Sequence, residues 1–119
     1  MDESQALGAF AALAQEHRLR LVRALVTAGP DGLASGVLAE AVGVSAATVS
    51  HHLKELSHAG LVASRREGRS IIYSAAYPKL SDLIAFLMKD CCQGHPEVCA
   101  PAMAALATCC PIPGETAHA

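Results

Sequence analysis

The sequence contains no apolar run approaching the ~20 residues needed to cross a bilayer. It opens Met1-Asp2-Glu3-Ser4-Gln5, without the basic start and apolar core of a secretory signal. These absences point to a cytoplasmic protein with no membrane partner. Net positive charge is also lacking: 9 Lys and Arg stand against 11 Asp and Glu, a formal balance of -2. The chain as a whole therefore does not advertise a nucleic-acid partner. There is no Cys-x-x-Cys at a helix start, no paired general base and no Gly-rich cofactor loop, so the sequence reads as a non-enzyme. At 119 residues it is long enough for one core and too short for two.

What is present is unevenly distributed. Between residues 45 and 75, Lys54, Arg65, Arg66 and Arg69 face only Glu55 and Glu67, a local excess of +2. All five cysteines fall between 91 and 110. An odd number of thiols in a reducing compartment argues for metal binding or redox chemistry rather than disulfides.

Periodicity predicts five helices. Leu7, Phe10 and Leu13 mark a first, after Ser4. Leu19, Val22, Leu25 and Val26 mark a second, from about Glu16 to Ala28, stopped by Gly29-Pro30. Asp31 to Ala34 reads as a loop. Ser35 is the expected N-cap of a short third helix through Leu38, Ala39 and Val42, ended by Gly43. Ser45 caps a fourth, with Val49, Leu53 and Leu56 on one side and Ala47, Ser50, His51, Lys54 and His58 on the other. Two short strands follow, Leu61 to Arg66 and Ser70 to Ser74, turning through Glu67-Gly68. Pro78 opens a fifth helix whose apolar stripe runs Leu80, Leu83, Ile84, Leu87, Cys91 and stops at Gly94 and Pro96.

A short helix, a tight Gly turn and a helix with a small, polar outer face form a helix-turn-helix, and an Arg-rich hairpin directly behind it forms a wing. The expected fold is thus mainly α with a small β-hairpin. Apolar faces left over on the first and fifth helices would join two copies, setting two recognition helices about one DNA turn apart. Residues 1–90 would make the DNA-binding and dimerisation domain, and 91–119 a cysteine-containing sensing segment with a flexible tail.

The stretch LAEAVGVSAATVSHHLKELSHAGLVASRREGRSIIYSA, residues 38–76, resembles the recognition helix and wing of the ArsR/SmtB family of metal-responsive winged-helix repressors. Arg18-Leu19-Arg20-Leu21-Val22 is similar to the family's second-helix pattern. The resemblance covers roughly residues 5–90. It implies a homodimer that holds double-stranded operator DNA without its ligand and releases it with the ligand bound. It does not specify the ligand. One type of arsenic, cadmium and lead sensor carries Cys-Val-Cys in the third helix, where this chain has Gly36-Val37-Leu38-Ala39. Zinc-type members use carboxylates and histidines on the fifth helix, where it has only Asp82 and Asp90. The remaining set, Cys91, Cys92 and Cys99, resembles that of arsenic repressors whose sensing thiols follow the fifth helix.

The chemistry of those thiols fits that resemblance. Three thiolates make a soft, all-sulfur site unsuited to hard cations, while structural zinc normally takes four ligands. Trivalent arsenic or antimony, As(III) or Sb(III), bonds three sulfurs in a pyramid. Adjacent residues of a regular helix point about 100° apart, so Cys91 and Cys92 converge on one atom only if the helix distorts or ends near Asp90 to Gln93. Cys109 and Cys110 are possible auxiliary thiols or a redox pair, and His95 lies between Cys92 and Cys99. The same scaffold also accommodates other thiophilic signals: zinc, cadmium, mercury, methylated trivalent arsenic, or oxidation.

The expected DNA contacts are Ala47, Thr48, Ser50, His51 and Lys54 in the major groove. Ser45 would cap the helix and offer its first amides to a phosphate. Arg65, Arg66 and Arg69 would meet phosphates from the wing. His51 would read a base edge or a phosphate, and His52, nearer the apolar stripe, is either a hydrogen-bonded core histidine or a further contact.

Overall fold

A computed structural model describes residues 1–88, 100–101 and 104–105. Two compact units divide the chain, Met1–Phe86 and Leu87–Ala119. The first consists of α1 (Glu3–Leu13), α2 (Glu16–Ala28), β1 (Leu33–Ala34), α3 (Ser35–Val42), α4 (Ala46–His58), β2 (Val62–Glu67), β3 (Ser70–Ala75) and most of α5 (Tyr77–Met88). In the second, residues 100–101 and 104–105 are helical. No helix among the described residues is long and apolar enough to cross a membrane.

The helices begin and end where local chemistry directs. Asp2 caps α1 in a reciprocal box with Gln5, so the helix starts at Glu3, ahead of Ser4 rather than after it. Gln15 caps α2 through the Arg18 amide. Ser35 proves to be the first residue of α3 rather than its cap. Ala34 holds the cap position, and no side chain bonds the first turn there. Gly43 ends α3 in the left-handed conformation, φ 78°, which a side chain would strain.

Leu21 and Leu25 of α2, Leu38 of α3, Val49, Leu53 and Leu56 of α4, and Leu61 are fully buried together. Burying each such leucine contributes about 1.5–3 kcal/mol relative to leaving it in water. The first helix seats small Ala6 and Ala9 on this core, while Leu7 is 62 % and Phe10 37 % exposed. Leu7 and Phe10 of the α1 stripe are therefore left over as an outer apolar face, whereas Leu13 packs against the core.

The expected loop before α3 contains a strand. β1 pairs with β3, so the hairpin belongs to a three-stranded antiparallel sheet in the order β1-β3-β2. The hairpin turn is Gly68-Arg69, since Glu67 pairs with Ser70, one residue later than Glu67-Gly68. Gly68 supplies the positive φ, 62°. At the base of the hairpin the Ala76 amide donates to the Leu61 carbonyl at 2.9 Å.

Candidate nucleic-acid interface and sensing segment

Helix α4 follows α3 across Gly43, Val44 and Ser45. Its buried stripe of Val49, Leu53 and Leu56 seats it on α2 and α3, and leaves Ala47, Ser50, His51 and Lys54 exposed along the opposite face. Ser45 acts as the cap: its hydroxyl accepts from the Thr48 amide at 3.2 Å and donates to the Thr48 hydroxyl at 2.9 Å. Thr48 is thereby held against the helix start and is half-buried. Short side chains at 46, 47 and 50 keep the helix surface open to close approach.

The wing extends beside this helix. Arg66 and Arg69 are exposed and form no ion pair or side-chain hydrogen bond among the described residues. Arg65 is engaged, donating to the Asp31 carbonyl at 2.7 Å and to the Glu67 carboxylate at 3.0 and 3.2 Å. An open cleft of about 540 Å³ separates the first turn of α3 from the wing tip, bordered by Ser35, Val37, Glu40, Arg69 and Ile71.

Sequence reasoning left His52 undecided, and it belongs to the core face, 8 % exposed. Its ring centroid lies 5.5 Å from those of both His17 and His51. Its Nδ1 has no hydrogen-bond partner among the described residues. Burial, reinforced by the positive Arg18 and the neighbouring His17 and His51, lowers the His52 pKa below the ordinary 6.5; Glu55 opposes this.

The five cysteines, and with them Asp90, Gly94, His95 and Pro96, lie outside the described residues. Among the described residues, no group of three or more His, Cys, Asp or Glu is placed to hold a metal ion. The α5 stripe is followed through Leu83, which is buried, and Ile84, which is exposed.

This arrangement defines a winged helix-turn-helix transcriptional regulator. Residues 13–65 match the model of a helix-turn-helix domain. The probable mercury resistance operon repressor of Streptomyces lividans is 34 % identical over 106 residues, spanning 89 % of this chain and 76 % of the relative. Among solved structures, the homodimeric winged helix-turn-helix DNA-binding domain of a possible ArsR-family regulator from Mycobacterium bovis is 31 % identical. Its TM-score is 0.60, over 71 % of this chain and 75 % of that one. A possible transcriptional regulator for arsenical resistance is 34 % identical with a TM-score of 0.58, over 65 % and 77 % of the two chains. The chain belongs to the ArsR/SmtB-type family of winged helix-turn-helix transcriptional regulators.

Proposed function

We propose that the protein is a transcriptional repressor that grips operator DNA as a homodimer and lets go when trivalent arsenic or antimony is taken by Cys91, Cys92 and Cys99. The observation that carries the DNA half is the exposed, small-residue face of α4, capped at Ser45 and flanked by Arg66 and Arg69, which have no ion-pair partner among the described residues. Ala47, Ser50 and His51 would meet base edges, with Thr48 beside them at the helix start. Lys54 would take a phosphate or a guanine edge. The capped N-terminus of α4 would sit against a phosphate. Arg66 and Arg69 would be the wing's phosphate ligands, whereas Arg65 is already held by Asp31 and Glu67.

The homodimer is supported by the homodimeric relative from M. bovis and by Leu7, Phe10 and Ile84, large apolar side chains left exposed on α1 and α5. The sensing half is supported by the donor set. Three thiolates with no required fourth ligand would hold a soft, three-coordinate centre and would supply strong covalent sulfur bonds to it. Residues 1–90 then bind and dimerise, and 91–119 sense. Taking Cys91 and Cys92 to one centre requires the chain there to leave regular helix geometry. A coupling of about 1–3 kcal/mol between the sites would loosen DNA roughly 5- to 150-fold.

A second reading, mercury, keeps the same residues and is favoured by the mercury-operon repressor that aligns over 89 % of the chain. The test is equilibrium dialysis of the reduced protein with arsenite, antimonite, mercuric ion or zinc, counting atoms bound per monomer. One arsenic per monomer is expected, lost in Cys91→Ser, Cys92→Ser and Cys99→Ser and kept when Cys109 and Cys110 are both replaced. Exclusive mercury binding through the same thiols would transfer the signal to the second reading. Binding that disappears only with Cys109 and Cys110 would refute the three-thiol site.

A further inference from the structure

The wing carries three arginines, and the sheet register treats them differently. In an antiparallel ladder, directly opposed residues share a face and successive residues alternate between faces. Val62 and Ala75 are opposed and both buried, so Ser64 and Arg66 lie on that same face, opposite Tyr73 and Ile71. Arg65 and Glu67 lie on the other, opposite Ile72 and Ser70. Ile72 is also the register partner of Ala34, so Arg65, Ile72 and Ala34 form one row across all three strands.

The Arg65 guanidinium extends along this row. Its Nη2 donates to the carbonyl oxygen of Asp31 at 2.7 Å, a residue 34 positions away that lies just ahead of β1. Nε and Nη2 also donate to one Glu67 carboxylate oxygen. A phosphate at Arg65 would therefore compete with a carboxylate and a carbonyl already in place.

The far end of this contact is firmly set. Gly32 has φ +74°, its amide donates to the Gly29 carbonyl at 3.1 Å, and its Cα lies too close to the Tyr73 carbonyl to admit a side chain. β1 runs directly into α3, yet its own ladder with β3 is only two residues long. Arg65 thus adds a strut between the wing strand β2 and the segment that leads into the helix-turn-helix.

We infer that Arg65 is a positioning residue that fixes the wing relative to the helix-turn-helix, while Arg66 and Arg69 make the wing's phosphate contacts. Its functional half rests on the DNA-binding reading; its structural half does not. Guanidinium is suited to the part because its planar fork satisfies two acceptors at fixed angles, which an ammonium does not reproduce.

The experiment measures affinity for a labelled random-sequence duplex against salt, together with amide exchange at Leu33 and Tyr73, in wild type, R65A, R65K, R66A and R69A. R66A and R69A should each flatten the log K against log salt slope by about one unit and leave exchange unchanged. R65A should weaken binding about tenfold with the slope retained. R65K should behave like R65A despite keeping its charge, and both should speed exchange at Leu33 and Tyr73. A slope loss of about one in R65A that R65K restores would overturn the assignment by making Arg65 a phosphate ligand. Unchanged exchange in R65A would overturn the strut. If the wild type bound no duplex, the DNA-binding reading would fail, while exchange would still decide the strut.

Discussion

The imidazole of His52, on the recognition helix, lies 5.5 Å from that of His17 at the start of α2, with the rings tilted by 44°. The first turn of α2 and the middle of α4 are thus in contact through two titratable rings, one of them buried. A proton on His52 would place a charge in the core beside Arg18, with Glu55 alone among the described residues to compensate.

That contact predicts a pH dependence. With the folded pKa of His52 below the ordinary 6.5, the ring is neutral in both states above that value and stability is unaffected. As pH falls below about 6.5 the unfolded chain takes up the proton first, and stability declines until pH passes below the folded pKa. One such proton contributes a slope of at most about 1.4 kcal/mol per pH unit. Urea denaturation between pH 7.5 and 5 should show a steeper loss for wild type than for His52→Leu. Equal slopes would mean that His52 protonates without penalty.

Ser45 has two separable parts. Ser45→Ala removes the cap on the Thr48 amide and should cost about 1 kcal/mol in thermal or urea denaturation. Ser45→Asp preserves a capping oxygen and should hold stability, yet its charge should repel a phosphate and weaken DNA binding measured by anisotropy. Unimpaired affinity in Ser45→Asp would remove the phosphate from the N-terminus of α4.

Gly32 and Gly68 both have positive φ but face different surroundings. A Cβ at 68 meets open space, whereas one at 32 collides with the Tyr73 carbonyl and crowds Ile72. Gly68→Ala should cost about 1 kcal/mol from backbone strain alone. Gly32→Ala should cost clearly more and disturb the β1–β3 pairing. Similar melting temperatures for the two variants would contradict the close packing of this segment.

The dimer reading assigns a use to apolar residues that the first unit leaves exposed. Leu7→Glu and Ile84→Glu should preserve helical circular dichroism while shifting sedimentation from dimer to monomer. Retention of the dimer in both variants would move the interface elsewhere.

Much of this fold was legible because it depends on local rules. The range Glu16–Ala28, the Gly43 turn and the Ser45 cap follow from periodicity and termination chemistry, and the structure has them where the sequence suggests. β1 was not legible, since two residues show no alternation and Leu33–Ala34 becomes a strand only through its pairing with Tyr73 and Ile72. The spare apolar face of the first helix was legible from Leu7 and Phe10, but its seat on the core was not, because that rests on the small Ala6 and Ala9. At the candidate interface, the polar face of α4 could be read from spacing. The engagement of Arg65 could not, because its partner Asp31 is distant in sequence and contributes a backbone oxygen. The place of His52 near the apolar stripe left both a core role and a DNA contact open, and its contact with His17 depends on how α2 meets α4.

The most direct measurement is arsenite titration of the reduced protein bound to a labelled duplex enriched from a random library by the wild type, followed by anisotropy. Release should be complete near one arsenite per monomer, abolished in Cys91→Ser, Cys92→Ser and Cys99→Ser, and intact when Cys109 and Cys110 are both replaced. A complex that persists with arsenite bound, or one released equally well without Cys91, Cys92 and Cys99, would contradict thiol-triggered release.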